Sequence, residues 1–203
     1  GSGEAKGHIL NQFSMDEYDY HFRIATTTGF ISRTMPSSAN HVYILDIKLN
    51  EVGALEGLAP GEKLYSVRFA GEKGYLVTFK KVDPFFVLDL SDHTNPIVTG
   101  ELKIPGYSDY LHPLDENHVI GLGKNTVEAT SGDFAWYQGI KLAVYDVSDP
   151  TNPVELHLEI IGERGTNSEA LREHKAFLYS KDKNLLVIPI TVAEFETPPE
   201  YDW

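Results

Sequence analysis

Three stretches of the 203-residue chain follow one pattern. Tyr43-Ile44-Leu45-Asp46-Ile47, Phe86-Val87-Leu88-Asp89-Leu90 and Ala143-Val144-Tyr145-Asp146-Val147 are β-rich apolar runs, each closed by Asp and one more apolar residue. In the second and third copies Ser-Asp-x-Thr-Asn-Pro follows, at 91–96 and 148–153. Asp and Asn in such a turn bond nearby backbone amides, and Pro ends a ladder where no donor is wanted. Each copy leads into a further strand-like run, at 51–58, 97–104 and 154–161. Upstream lie paired apolar runs split by short charged turns: Ser14-Met15-Asp16-Glu17, Gly71-Glu72-Lys73-Gly74, Asp115-Glu116-Asn117 and Lys181-Asp182-Lys183-Asn184. The strands after these turns are expected at 20–28, 75–79, 118–122 and 185–190.

One unit therefore reads strand, tight turn, strand, loop, strand, turn, strand. The repeated Asp recurs after 43 residues and then after 57. The longer unit contains an extra stretch, 125–138, which reads as an exposed loop insertion. Four antiparallel strands in about 40–50 residues, repeated, predict an all-β fold: a β-propeller made of four-stranded antiparallel blades. A single small sheet cannot bury both faces, whereas neighbours stacked around an axis bury each other's. The units fall roughly at 8–58, 62–104, 107–161 and 168–203 of one domain spanning 1–203. That is three to four blades, and since propellers close with roughly four to eight, the expectation is part of a larger ring. Helical pattern is confined to a single turn at 169–175.

Composition narrows the function. Seventeen basic against thirty acidic residues give a net charge of −13, which argues against nucleic acid and anionic lipid as partners. Aromatics at 11% are too frequent for a disordered chain. No run of about 18 apolar residues exists to span a membrane as a helix. The absence of Cys excludes disulfides, thiol catalysis and Cys-ligated metal. The opening Gly1-Ser2-Gly3-Glu4 is not a basic-then-apolar stretch.

Two groups combine hydroxyl, carboxylate and imidazole: Ser108, Asp109 and His112, and Ser168, Glu169 and His174. Both precede a turn hairpin, so both are expected on first, axis-lining strands. A hydrolytic triad needs these groups to converge beside an oxyanion hole. No Gly-x-Ser-x-Gly elbow is present, and neighbours such as Ser108 and Asp109 point to opposite faces of an extended strand. No residue is assigned a catalytic role. The six are candidates for ligand contact, or for satisfying backbone groups near the channel. Arg68, between Val67 and Phe69, is expected either in an inter-blade ion pair with Asp109 or Glu169 or as an anion contact in the channel. In the loop read at 126–137, Phe134, Trp136 and Tyr137 form a candidate surface for a protein or glycan partner, or else pack on their own blade edge.

No metal ligand is assigned. The eight His residues, 8, 21, 41, 93, 112, 118, 157 and 174, contain no His-Glu-x-x-His pattern. Calcium is the more plausible ion, with oxygens from Asp16, Glu17 and Asp19, or from Glu194, Glu196, Glu200 and Asp202, although neither set has EF-hand spacing. Asp89, Asp92 and Asn95 recur as Asp146, Asp149 and Asn152, which favours a structural turn. Gly121-Leu122-Gly123-Lys124-Asn125 lacks phosphate-loop spacing and reads as a strand end.

Longer motifs carry a family resemblance. They include Leu10-Asn11-Gln12-Phe13-Ser14-Met15-Asp16-Glu17, Arg23-Ile24-Ala25-Thr26-Thr27-Thr28-Gly29 and Gly57-Leu58-Ala59-Pro60-Gly61-Glu62. Lys103-Ile104-Pro105-Gly106-Tyr107-Ser108-Asp109-Tyr110-Leu111-His112-Pro113 and His174-Lys175-Ala176-Phe177-Leu178 extend the match, which runs from about 7 to 192. The chain resembles a secreted β-propeller domain family of archaea and bacteria. The resemblance implies an exported or cell-surface protein, a propeller longer than this chain and no assigned activity. The expected function is thus a non-enzymatic interaction or scaffold module for protein or glycan contacts, with the remaining blades of the propeller as a further partner. The alternative is an extracellular hydrolase or lyase using polar residues at the axis.

Overall fold

The computed structural model describes residues 1–30, 37–79, 83–128 and 135–196. Strands β1 (Met15–Tyr18), β2 (His21–Thr28), β3 (Ala39–Leu45) and β4 (Glu51–Leu58) form one antiparallel sheet in chain order. A second sheet holds β5 (Lys63–Ala70), β6 (Lys73–Phe79), β7 (Asp83–Asp89) and β8 (Ile97–Ile104). A third holds β9 (Tyr107–Pro113), β10 (His118–Glu128), β11 (Ala135–Asp146) and β12 (Val154–Ile161). Two short 3-10 turns, Glu169–Leu171 and His174–Ala176, precede a hairpin of β13 (Leu178–Ser180) and β14 (Leu185–Val187). The protein is all-β, with the four-stranded meanders of propeller blades, and the described sheets do not close a ring. No helix among the described residues is long and apolar enough to cross a membrane.

The middle blade shows why its strands read as unbroken apolar runs. Along β6 and β7, Tyr75, Val77, Phe85 and Val87 pack towards the third blade, against Tyr107, Leu111, Val119, Ala143 and Tyr145. The intervening Leu76, Phe86 and Leu88 pack towards the first blade, against Ala25, Val42 and Ile44. Side chains alternate across a strand, so a sheet sandwiched between two neighbours needs apolar residues on both faces. A third core joins the third blade, through Tyr110, Ile120, Leu122 and Ile140, to Ala170 and Phe177 of the following segment.

Polar joints lie beside these cores. Asp92 Oδ1 accepts from the Thr94 amide and hydroxyl at 2.9 and 2.7 Å, and Asp149 does the same for Thr151 at 3.0 and 2.7 Å. Each turn so fixed presses a backbone carbonyl onto a glycine of the preceding blade's outer strand. A Cβ on Gly53 would lie 2.2 Å from the His93 oxygen, and one on Gly100 would lie 2.2 Å from the Pro150 oxygen. Arg23 of β2, fully buried, forms two bonds with Asp16 at 2.7 and 2.5 Å and reaches the next blade through the Gly71 carbonyl and the Phe69 ring. Ser66 Oγ donates to the Ser108 carbonyl at 2.7 Å, tying the second blade to the third.

The structure departs from the sequence reading at several points, the first being Met15–Tyr18, which is strand β1 although Ser14-Met15-Asp16-Glu17 reads as a turn. The described ends of the stretch 125–138 are paired strand rather than loop: Thr126, Val127 and Glu128 pair with Tyr137, Trp136 and Ala135 across β10 and β11. Their alternating Thr, Val, Trp and Tyr favour strand, and this extension raises one wall of a cleft. The residue after the repeated Asp is buried in two copies, Leu90 and Val147, but Ile47 is 76% exposed. The first copy lacks Ser-Asp-x-Thr-Asn-Pro and closes instead with Asp46 accepting from the amides of Lys48 and Asn50, with Leu49 left-handed. Finally, Ser168, Glu169 and His174 lie not on a strand but around the two 3-10 turns, the first of which Ser168 starts by capping the Ala170 amide.

Arg23→Ala would strand Asp16 and remove the shared guanidinium, so urea unfolding should show a loss of about 3–5 kcal/mol. Gly100→Ala should cost about 1–3 kcal/mol, because the main-chain oxygen it meets cannot swing aside.

Candidate functional site

Asp109 owes its place to a backbone irregularity. Tyr110 pairs with Leu122 and Ser108 with Gly123, so Asp109 is the extra residue of a β-bulge in β9. A bulge re-aims its side chain. Asp109 opens onto a cleft of about 590 Å³ between the third blade and the segment after it. Tyr107, Trp136 and Tyr137 supply aromatic walls, and Lys124, Arg164 and Arg172 supply positive charge. Arg164 lies 4.7 Å over the Trp136 ring, and Lys124 donates to the Thr166 carbonyl. Gln138 Nε2, also in the lining, is a buried donor with no hydrogen-bond partner among the described residues.

Burial pushes the Asp109 carboxyl up to about 7, with Lys124 and Arg172 opposing the rise. Although part of its surface faces the cleft, packed protein hems in the rest, and desolvation outweighs both cations. Desolvation likewise lowers the Lys124 ammonium, against the pull of Asp109. The cleft thus combines three basic side chains with a carboxyl held well above the ordinary carboxylate range.

The other candidates scatter. Ser108 is buried, its hydroxyl 3.2 Å from that of Tyr145. His112 packs against Phe177 and Tyr179, and burial, then Arg68, lowers its pKa. Neither residue lines the cleft, so Ser108, Asp109 and His112 do not converge. Arg68 has no ion pair among the described residues. Its guanidinium lies 4.4 Å over the Phe13 ring and 3.3 Å from the Tyr110 hydroxyl, so flat aromatic faces replace the expected acid. His174 shares a second cavity of about 410 Å³ with Asp109 and Arg172, and Glu169 lines a third of about 230 Å³ with Arg172. Ser168 Oγ donates to the Pro189 carbonyl at 2.6 Å. Trp136 is half-buried, and Tyr137 is 47% exposed with its ring 5.6 Å from Tyr107. Phe134, Glu200 and Asp202 lie outside the described residues. Of the acids weighed for calcium, Asp16 is held by Arg23, and Glu17 accepts from the Tyr20 amide.

Sequence reasoning missed Lys124, Arg164 and Arg172 as a group. They are 40 and 8 residues apart, with no shared motif, and only the fold assembles them.

Stacked four-stranded meanders with a cleft at the end of the third define a propeller-type protein. The description "Beta propeller domain" matches residues 1–203, and the chain belongs to that family. It is similar to an uncharacterized protein of Methanocaldococcus jannaschii, 43% identical over 93% of this chain and 28% of that protein. It is also similar to one of Archaeoglobus fulgidus, 41% identical over 93% of this chain and 27% of that protein. The chain thus spans little more than a quarter of these relatives' length. No solved structure matches it.

Asp109→Asn tests the buried acid. Below 3.8 the folded and unfolded chains both keep this proton, and between 3.8 and about 7 only the unfolded chain releases it. The carboxyl therefore costs stability as pH rises through that window. The variant should be more stable than the parent by about 1–2 kcal/mol at pH 8, less than the full shift because the group is partly open to water. At pH 4 the two urea midpoints should nearly coincide.

Proposed function

We propose that this domain is a non-enzymatic binding module of an exported or cell-surface protein, and that the 590 Å³ cleft is its contact site. The carrying observation is the company of Trp136, Tyr137 and Tyr107 with Lys124, Arg164 and Arg172 in a chain whose net charge is −13. Flat aromatic walls offer apolar faces to sugar rings, and the cations fix carboxylates. The spare Gln138 donor supports a polar ligand group beside them. A carboxylate-bearing glycan fits this chemistry best. The remaining blades of a longer polypeptide are a further partner, in keeping with the length of the relatives.

One observation favours the second reading, an extracellular hydrolase or lyase: Asp109 sits in the cleft with its pKa near 7, suited to proton transfer. Polymer cleavage of the common two-carboxylate kind needs a second acid facing the bond. Asp109 is the only carboxyl lining this cavity among the described residues, which supports binding over turnover.

Calorimetry with oligouronates and with neutral oligosaccharides of equal length separates these readings. Binding of the uronate series alone is expected, weakened about tenfold or more by Trp136→Ala or Arg164→Ala, a loss of roughly 1.4 kcal/mol. Equal binding of both series, or unchanged affinity in both variants, would overturn the glycan assignment. Preference for an acidic peptide would move the site to protein contact. Chain shortening of the uronate, lost in Asp109→Asn, would establish the enzyme.

A further inference from the structure

A second site lies on the opposite side of the repeat, where the first blade meets the second. Asp19 lies in the β1–β2 turn, His21 is the first residue of β2, and His93 belongs to the Ser-Asp-x-Thr-Asn-Pro turn of the second blade. One ligating atom from each lies within 4.8 Å of the others. The two imidazole rings are 3.9 Å apart between centroids. His21 Nδ1 is 2.7 Å from the Asp19 carbonyl oxygen, which can only accept, so Nδ1 carries the hydrogen and Nε2 keeps the lone pair. A backbone carbonyl holding one ring nitrogen while the other stays free to ligate is the usual support of a metal-bound His. The His93 ring makes no hydrogen bond among the described residues, and both histidines are half-buried beside the exposed Asp19.

The geometry points to a divalent transition-metal site, of the Zn²⁺ or Ni²⁺ kind, formed by Asp19, His21 and His93 and stapling the first blade to the second. Two imidazoles and one carboxylate select such ions over Ca²⁺ or Mg²⁺, which want six or more oxygens. Three protein donors leave coordination positions for water or a partner's side chain. The third blade shows that the turn itself does not require this histidine. Pro150 stands where His93 stands, in a turn with the same Asp–Thr bonds and the same seat against a glycine. His93 is therefore dispensable to the joint and available to a ligand. The pairing spans 72 residues, which is why no local histidine motif announces it.

The test uses untagged protein dialysed against chelator and titrated with ZnCl₂ and, separately, NiCl₂ in a non-coordinating buffer. One ion per chain is expected. With free metal held about 100-fold above Kd, the melting midpoint should rise by roughly 5–10 °C. His93→Pro, which copies the third blade's turn, and His21→Gln should each weaken binding at least tenfold while leaving the circular dichroism unchanged. His157→Ala, on exposed β12, should bind like the parent, and CaCl₂ should move nothing. Substoichiometric binding, or equal affinity in the parent and a folded His93→Pro or His21→Gln, would overturn the site. So would loss of binding in His157→Ala, which would mark adventitious surface chelation.

Discussion

The stacking of blades rests on contacts in which a side chain is missing. Gly53 and Gly100 let the next blade's turn bring a main-chain oxygen within 2.2 Å of where a Cβ would stand. No other residue allows that approach without moving one of the two sheets. Once the turns are seated, the alternating faces of β6 and β7 are pinned against both neighbours, and the two cores that share the middle blade follow. Arg23 adds a charged clasp at the first joint, where full burial makes its partners Asp16 and the Gly71 carbonyl obligatory.

Much of this fold was legible in the chain. Apolar runs such as Phe85-Phe86-Val87-Leu88 show strands covered on both faces, and Ser-Asp-x-Thr-Asn-Pro marks where they turn. The glycine seats were not legible, because a lone Gly in Ile97–Ile104 or Glu51–Leu58 looks like a weak strand position until its neighbour is placed. Ile47 was misleading for the reverse reason. It copies the pattern of Leu90 and Val147, yet its turn closes differently and leaves it in solvent.

The candidate cleft was legible only in part. Asp109, Trp136 and Tyr137 stood out by residue type, but the clustering of Ser108 and His112 around Asp109 was a matter of sequence proximity. A one-residue bulge separates their directions, and single-residue register shifts leave no mark in composition. The charge of Lys124, Arg164 and Arg172 was hidden for a plainer reason: each is unremarkable alone, and they meet only in the hollow whose wall includes Ala135, Trp136 and Tyr137 of β11.

The seated turn has an evolutionary side. Its joint depends on a carbonyl, a glycine and the Asp–Thr clasp, none of which involves the side chain at the third position. That position is free to drift, and two copies within one chain already hold residues as unlike as His93 and Pro150. A duplicated module of this sort carries its own vacant address at every seam, so new surface chemistry can be tried there without disturbing the masonry.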